Sequence, residues 1–87
     1  MYSVYILQCV DGTYYTGIAL NTAARLAAHN AGRGAKYTRG RRPVKLVYQE
    51  NGYDRGTALR REQEIKNLSR PEKVVLLRLT CAAETDS

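Results

Sequence analysis

The chain has only two cysteines among its 87 residues, Cys9 and Cys81, and neither belongs to a CxxC pair or to paired His/Cys spacing. That pattern argues against a zinc site. In a reducing compartment it also argues against a disulfide, so both are read as free thiols. No apolar run approaches the roughly 20 residues that span a bilayer, so no membrane partner is expected. The N-terminus MYSVYILQCVDG lacks a basic lead and a small-residue cleavage site, so no signal peptide and a cytoplasmic location are expected. There is no repeat and no low-complexity segment. At this length one modest core is available, because so short a chain buries only about 60% of its unfolded surface.

One further absence is informative. Between Asp11 and Glu50 there is no acidic residue, while the interval holds Arg25, Arg33, Lys36, Arg39, Arg41, Arg42 and Lys45. The net charge of +6 is therefore concentrated in one positive field that suits a polyanion. A solvated basic face would have similar composition. Arginine outnumbers lysine here, however, and its guanidinium forks onto phosphate, which favours nucleic acid.

The expected elements follow from pattern and punctuation. Tyr2 to Val10 is rich in β-branched and aromatic residues and reads as a strand. Asp11-Gly12 marks a hairpin, and Thr13 to Ile18 returns as a second strand. Asn21 or Thr22 caps a helix through Ala31, stopped by Gly32. Arg33 to Arg42 reads as a loop with one short helical turn. Pro43 opens a third strand, Val44 to Gln49, and Asn51-Gly52 marks a turn. Asp54 or Thr57 caps a helix to about Ser69, and Pro71 suits the first turn of a last helix, Glu72 to about Leu79. The order is β-β-α-β-α-α. Three strands cannot hide both sheet faces unaided, so helices must cover them: an α+β domain over residues 1–80, with a short flexible tail at 81–87.

Within these elements some residues stand apart. Arg25 and His29 are four residues apart on one helix face, opposite Ala23, Ala27 and Ala31, which form an expected buried stripe. In DRGTALRREQEIKNLS, Ala58, Leu59, Ile65 and Leu68 define an apolar face that contains Glu62 and leaves Glu64 outside. A carboxylate there calls for an ion pair with an arginine or for a metal. The hairpin leaves two registers open. A two-residue loop pairs Gln8 with Tyr15 and sends Tyr5 and Tyr15 to opposite faces. A three-residue loop with left-handed Gly12 pairs Leu7 with Tyr15 and puts both tyrosines on one face.

Together, Ser3-Val4-Tyr5, Tyr15-Thr16-Gly17, Arg25, His29 and the later helical glutamate resemble the GIY-YIG nuclease superfamily, most closely its small stand-alone bacterial domains. The segment HNAGRGAKYTRGRRPVKLVYQE also resembles the corresponding part of the eukaryotic nuclease subunit that cuts branched DNA. The likeness runs from Tyr2 to about Leu77 and is made specific by AKYTRGRRP and ALRREQEIK. Ser3 stands where the first motif has glycine, and Thr16 where the second has isoleucine. The implied GIY-YIG domain is a small three-stranded antiparallel sheet flanked by helices.

The resemblance implies a metal-dependent endonuclease. Glu62 would hold one divalent ion, Mg²⁺ or Mn²⁺, and Arg25 would bind the scissile phosphate. Tyr5 would be the general base, assisted by Tyr15 or His29, with His29 itself an alternative base. Lys36, Tyr37, Arg39, Arg41, Arg42 and Lys66 would contact the strand, with Tyr37 stacking on a base. The implied partner is DNA, single-stranded or branched rather than sequence-specific duplex, in repair, recombination or uptake. RNA, a protein partner and a dimer stay open, as does a binding module without turnover.

Overall fold

The first strand is apolar on both faces, and it lies at the centre. In the computed structural model, β1 (Tyr2–Gln8) is flanked by β2 (Tyr14–Ala19) on one side and β3 (Lys45–Tyr53) on the other, all antiparallel. Val4, Tyr5, Ile6 and Leu7 are all buried because helices cover both faces of β1. The other elements are α1 (Thr22–Asn30), a one-turn α2 (Lys36–Arg39), α3 (Arg55–Lys66) and α4 (Arg70–Thr85). The order is the expected β-β-α-β-α-α, with α2 as the short turn in the loop after α1. The backbone is described for residues 1–85 and side chains for residues 1–78. Apart from the backbone that carries α4 to Thr85, the tail expected at 81–87 lies outside the described residues, as does the side chain of Cys81. Among the described residues, no helix is long and apolar enough to cross a membrane.

Alternation along β1 creates two cores. Val4 and Ile6 pack with Tyr48, with Ala58 and Ile65 of α3, and with Leu77 of α4. Tyr5 and Leu7 point the other way and pack with Cys9, Ala19, Val44 and Leu26 of α1. The hairpin fixes which side chains share a face. Cys9 donates its N–H to the Thr13 carbonyl (2.8 Å), Gly12 has φ +85°, and Leu7 pairs with Tyr15. The loop is therefore the three-residue kind, and Tyr5 and Tyr15 share a face.

Three local expectations need correction. Asn51-Gly52 does not end the third strand. Gly52, at φ +90°, absorbs one extra residue as a bulge, so Val4 pairs with Glu50 but Tyr2 with Tyr53. The alanine stripe of α1 is exposed, and Thr22, Leu26 and His29 face inward instead. A leucine buries more apolar area than an alanine, and His29 finds polar partners inside, so the helix turns that face to the sheet. Leu59 is also 43% exposed and does not belong to the buried face of α3.

The caps account for the ends of the helices. Asn21 Oδ1 accepts the Ala24 N–H, and Asp54 Oδ1 accepts the Thr57 N–H. α3 stops at Lys66, and Ser69 begins α4 through a reciprocal pair. Its N–H donates to Glu72 Oε1 (2.8 Å), while its hydroxyl accepts the Glu72 N–H (3.3 Å).

Candidate active site

Because β2 is an edge strand, a side chain lying across it from β1 reaches the rim of the sheet. Tyr5 does this over Gly17, its cross-strand partner. A Cβ at Gly17 would stand 2.7 Å from the Tyr5 hydroxyl and 2.9 Å from Cζ, so only glycine leaves the ring its path. Beside that rim lie Arg25 from α1 and Glu62 from α3, both close enough to perturb the Tyr5 hydroxyl electrostatically. Burial pushes the hydroxyl above the usual tyrosine range. Arg25 offsets part of the rise, and Tyr15 and Glu62 add to it.

His29 is fully buried (0% exposed), and its tautomer follows from its neighbours. The Thr38 hydroxyl has one proton and donates it to the Ala35 carbonyl oxygen at 2.9 Å. It can therefore only accept from His29, whose Nδ1 lies 2.8 Å away. Nδ1 carries the proton, which leaves Nε2 as a bare acceptor 3.2 Å from the Tyr5 hydroxyl. The chain of hydrogen bonds runs from Tyr5 through His29 and Thr38 to Ala35. Burial lowers the His29 pKa below the ordinary histidine value, and the nearby Arg25 charge lowers it further, so the ring is neutral at pH 7. Gly34 is the second glycine this site requires, since a Cβ there would stand 2.2 Å from Nδ1.

Tyr15 completes the cluster. Its ring centroid lies 5.2 Å from that of His29, 6.5 Å from Tyr5 and 6.0 Å from Tyr37, with which it stacks. The five residues singled out from the sequence, Tyr5, Tyr15, Arg25, His29 and Glu62, thus surround one edge of the sheet. Glu62 is neither on the exposed surface nor locked away. Its side chain is 18% exposed, and its only ion pair among the described residues is with Lys66 at 3.4 Å. The arginine pair considered for it belongs to a different glutamate: Arg61 forks onto Glu50.

The basic interval divides into two groups. Arg42 donates to the carbonyls of Arg39 (2.9 Å) and Asn30 (3.4 Å), clasping the ends of α1 and α2. Arg41 pairs with Asp11 at 3.0 Å, donates to the Tyr37 carbonyl and lies over the Tyr37 ring, 4.2 Å from its centroid. Tyr37 is 40% exposed and already holds these two neighbours, so its ring is not free-standing. The Lys36 and Arg39 side chains are exposed and make no hydrogen bond or ion pair among the described residues.

Thr38 and Gly34 escaped the sequence reading although they lie within or beside the AKYTRGRRP motif. No signal in the sequence points to Thr38, because His29 is expected opposite the buried stripe and only its burial calls for a partner to orient the ring. Ser3, the departure from the first motif, donates to Asn51 Oδ1 (2.7 Å) and accepts from Gln49 Nε2 (3.3 Å), binding β1 to β3. Thr16, the second departure, is buried and lines a cleft of about 270 Å³ with Tyr14, Tyr15, Tyr37, Lys66 and Lys73.

Comparison with known proteins bears on this arrangement directly. The family model of the GIY-YIG catalytic domain matches residues 1–74. The chain belongs to the GIY-YIG family. It is 54% identical over 74 residues to a UPF0213 protein of Staphylococcus haemolyticus, covering 85% of this chain and 90% of that one. It is 53% identical over 76 residues to a UPF0213 protein of Halobacterium salinarum, covering 87% and 99%. Two solution NMR structures share the fold. One is the UPF0213 protein of Bacillus halodurans (45% identity, TM-score 0.58, covering 91% of this chain and 85% of that one). The other is a protein of E. faecalis (37% identity, TM-score 0.62, covering 93% and 86%). This GIY-YIG chain thus has the nuclease fold of its superfamily.

Among the described residues of this GIY-YIG domain, no group of three or more His, Cys, Asp or Glu side chains could close a cage around an ion. A hard cation that keeps most of its waters needs no such cage. The single half-buried carboxylate of Glu62, with one long contact to Lys66, is the kind of ligand that would suit such a cation shared with water and substrate oxygens.

Proposed function

We propose that this GIY-YIG protein is an endonuclease that hydrolyses phosphodiester bonds in DNA, with a preference for structure or strandedness rather than sequence. The observation that carries the reading is the buried relay from Tyr5 to His29 to Thr38, with Arg25 and Glu62 at its open end. Arg25, which acts on the Tyr5 hydroxyl and makes no ion pair among the described residues, would bind the scissile phosphate and offset charge in the transition state. Tyr5 acts on the attacking water. A water proton passes to the Tyr5 oxygen as the Tyr5 proton passes to His29 Nε2, while Nδ1 keeps its proton and its bond to Thr38; after the cut the extra proton returns through Tyr5 to solvent. A bond forms from the water oxygen to phosphorus, the bond from phosphorus to the leaving strand breaks, and the departing oxygen takes a proton from solvent. Tyr15 packs between His29 and Tyr37 and holds the relay in place. Glu62 would hold the divalent ion, which supplies Lewis-acid stabilisation of the phosphate charge.

Tyr5 is favoured over His29 as the base because His29 meets only Tyr5 and Thr38 by hydrogen bond, while the Tyr5 hydroxyl also feels Arg25 and Glu62.

The test is gel-resolved cleavage of end-labelled single-stranded, duplex, flap and four-way DNA, with RNA alongside. Each runs with Mg²⁺, Mn²⁺ or EDTA, for wild type and Glu62→Gln. Metal-dependent cutting that the variant loses while keeping affinity supports the reading, and the preferred substrate then defines the role in repair, recombination or uptake. Binding without cutting under either metal would make this a nucleic-acid-binding module.

A further inference from the structure

The cleft around the free edge of β2 contains groups that the relay does not use. It is lined by Tyr14, Tyr15 and Thr16 of β2, Tyr37 of α2, Lys66 of α3 and Lys73 of α4. Lys66 is paired with Glu62, but Lys73 is half-buried and makes no ion pair among the described residues. Arg70 lies over the Tyr14 ring at 5.2 Å, and its other contact, a bond to the Gly12 carbonyl, leaves its charge unpaired too. A partly buried ammonium without an anion is costly, and here it faces a hollow walled by aromatic rings.

We propose that this cleft receives one unpaired nucleotide of a DNA strand, with Lys73 holding its phosphate. The proposal rests on the nuclease reading and names the part of the substrate that reading leaves open. At about 270 Å³ the cleft falls just below the ~300–1,000 Å³ typical of whole-ligand pockets, a fit for one nucleotide and no more. Arg41 and Tyr15 already cover the Tyr37 ring and Arg70 covers Tyr14, so the cleft offers a narrow hollow of ring edges beside an ammonium rather than open faces. A base paired in a duplex cannot enter such a hollow without leaving its stack, whereas an unpaired one can. The tyrosines and the lysine thus select a nucleotide that is already unpaired, in a single strand, a flap or the branch of a junction. Arg70 supports the site by holding Tyr14 in place as one wall.

The experiment measures equilibrium binding of fluorescent single-stranded and duplex DNA oligomers of equal length across a salt series, without divalent metal so that nothing is cut. Wild type, Lys73→Gln, Lys73→Arg and Arg60→Gln are compared. Arg60 is exposed and lies two residues from Glu62, about 200° around α3, so its loss removes the same charge away from the cleft. The expected result is tighter binding of single strand than duplex by wild type. Lys73→Gln should weaken the single-stranded complex about tenfold and lower its salt slope by about 0.7, the value for one single-strand phosphate contact. Lys73→Arg should restore most of both, and Arg60→Gln should leave the slope unchanged. Three results would overturn the proposal. Equal effects of Lys73→Gln and Arg60→Gln would mean that only net charge matters, and an equal loss on duplex would mean that strandedness is not read. With a single-stranded RNA oligomer of the same length run alongside, tighter binding of RNA than DNA would assign the cleft to the other nucleic acid. Failure of wild type to bind any oligomer would remove the nuclease reading as well, so the two failures are distinguishable.

Discussion

Two clusters in this molecule are built from the same residue types: a glutamate, an arginine and two tyrosines. In one, Glu50 on β3 accepts from Arg61 through two bonds (2.9 and 2.8 Å), from Tyr53 at 2.7 Å and from Tyr48. In the other, Glu62, Arg25, Tyr5 and Tyr15 surround the edge of β2. The first cluster is saturated. The Arg61 bonds hold the Glu50 carboxyl down at about 2 against the cost of burial, with Tyr48 and Tyr53 adding to the effect, while burial and Glu50 push Tyr48 up to about 12. The second leaves its glutamate and arginine without an ion pair to each other among the described residues. Glu62 has one long contact to Lys66, Arg25 has no ion pair among the described residues, and Tyr5 donates to a histidine rather than to the carboxylate. Identical chemistry becomes a strut where every donor has an acceptor, and a site where charges wait for a ligand. Arg61 and Glu62 are neighbours on α3, so the strut also fixes the helix that carries the site.

The comparison can be broken first at its most exposed member. Arg25→Ala is expected to lower the single-turnover cleavage rate by about 10³-fold, with Arg25→Lys recovering part of it because the charge returns without the fork. Thermal unfolding should scarcely change, since Arg25 is exposed and makes no ion pair among the described residues. A fall in Tm with cleavage intact would place it in the scaffold instead.

A smaller effect, about 10²-fold, is expected for Tyr5→Phe, which keeps the packed ring and removes the hydroxyl. Its pH profile sharpens the point. The pKa of His29 in the folded protein is held below 6.5, so the wild-type rate should be flat above neutrality and fall on the acid side only below pH 6.5. An acid limb at or above 7 would show that the ring is not held as described.

How much of this could be read from sequence depends on the kind of signal. Tyr5, Tyr15, Arg25, His29 and Glu62 were identifiable because spacing and helix phase single them out, and because their combination is the family's own. The order of elements along the chain followed from strand patterning and turn chemistry, while the placement of β1 between β2 and β3 did not. The hairpin offered two registers, and only the left-handed Gly12 separates them. The Glu50–Arg61 strut was not legible: its members are 11 residues apart on different elements, and a glutamate in β3 looks like any strand charge. The alanines of α1 misled for a related reason. Helical phase gives a face, but the partner inside decides which face turns inward, and a buried histidine with Thr38 ready to accept its proton outweighed three methyl groups.

Gly34 gives a finer test of the relay. Gly34→Ala should displace the His29 ring from Thr38 and slow cleavage roughly tenfold, with Tm lowered by a few degrees. An unchanged rate would show that the loop gives way without disturbing the imidazole.

The smallest expected effect is on acid stability. Glu50 has a pKa of about 2 in the folded protein against 4.5 for the ordinary group. Its stabilisation is therefore full above pH 4.5 and declines as pH falls toward 2. His29, lowered rather than raised, likewise favours the folded state above pH 6.5 and loses that contribution as pH falls through its folded value. The decline of Tm between pH 4.5 and 2.5 should be shallower in Glu50→Gln than in wild type, since only wild type has that carboxylate to protonate.

The most direct test puts the two glutamates side by side. Tm and single-turnover cleavage of a single-stranded oligomer with Mg²⁺ would be measured for Glu50→Gln and Glu62→Gln. Glu50→Gln should cost about 3 kcal/mol, lowering Tm by roughly 15 °C, yet still cut at a temperature where it is folded. Glu62→Gln should melt within a few degrees of wild type and cut nothing measurable. If instead Glu62→Gln melts early, or Glu50→Gln is folded and inactive, the division between strut and site is wrong.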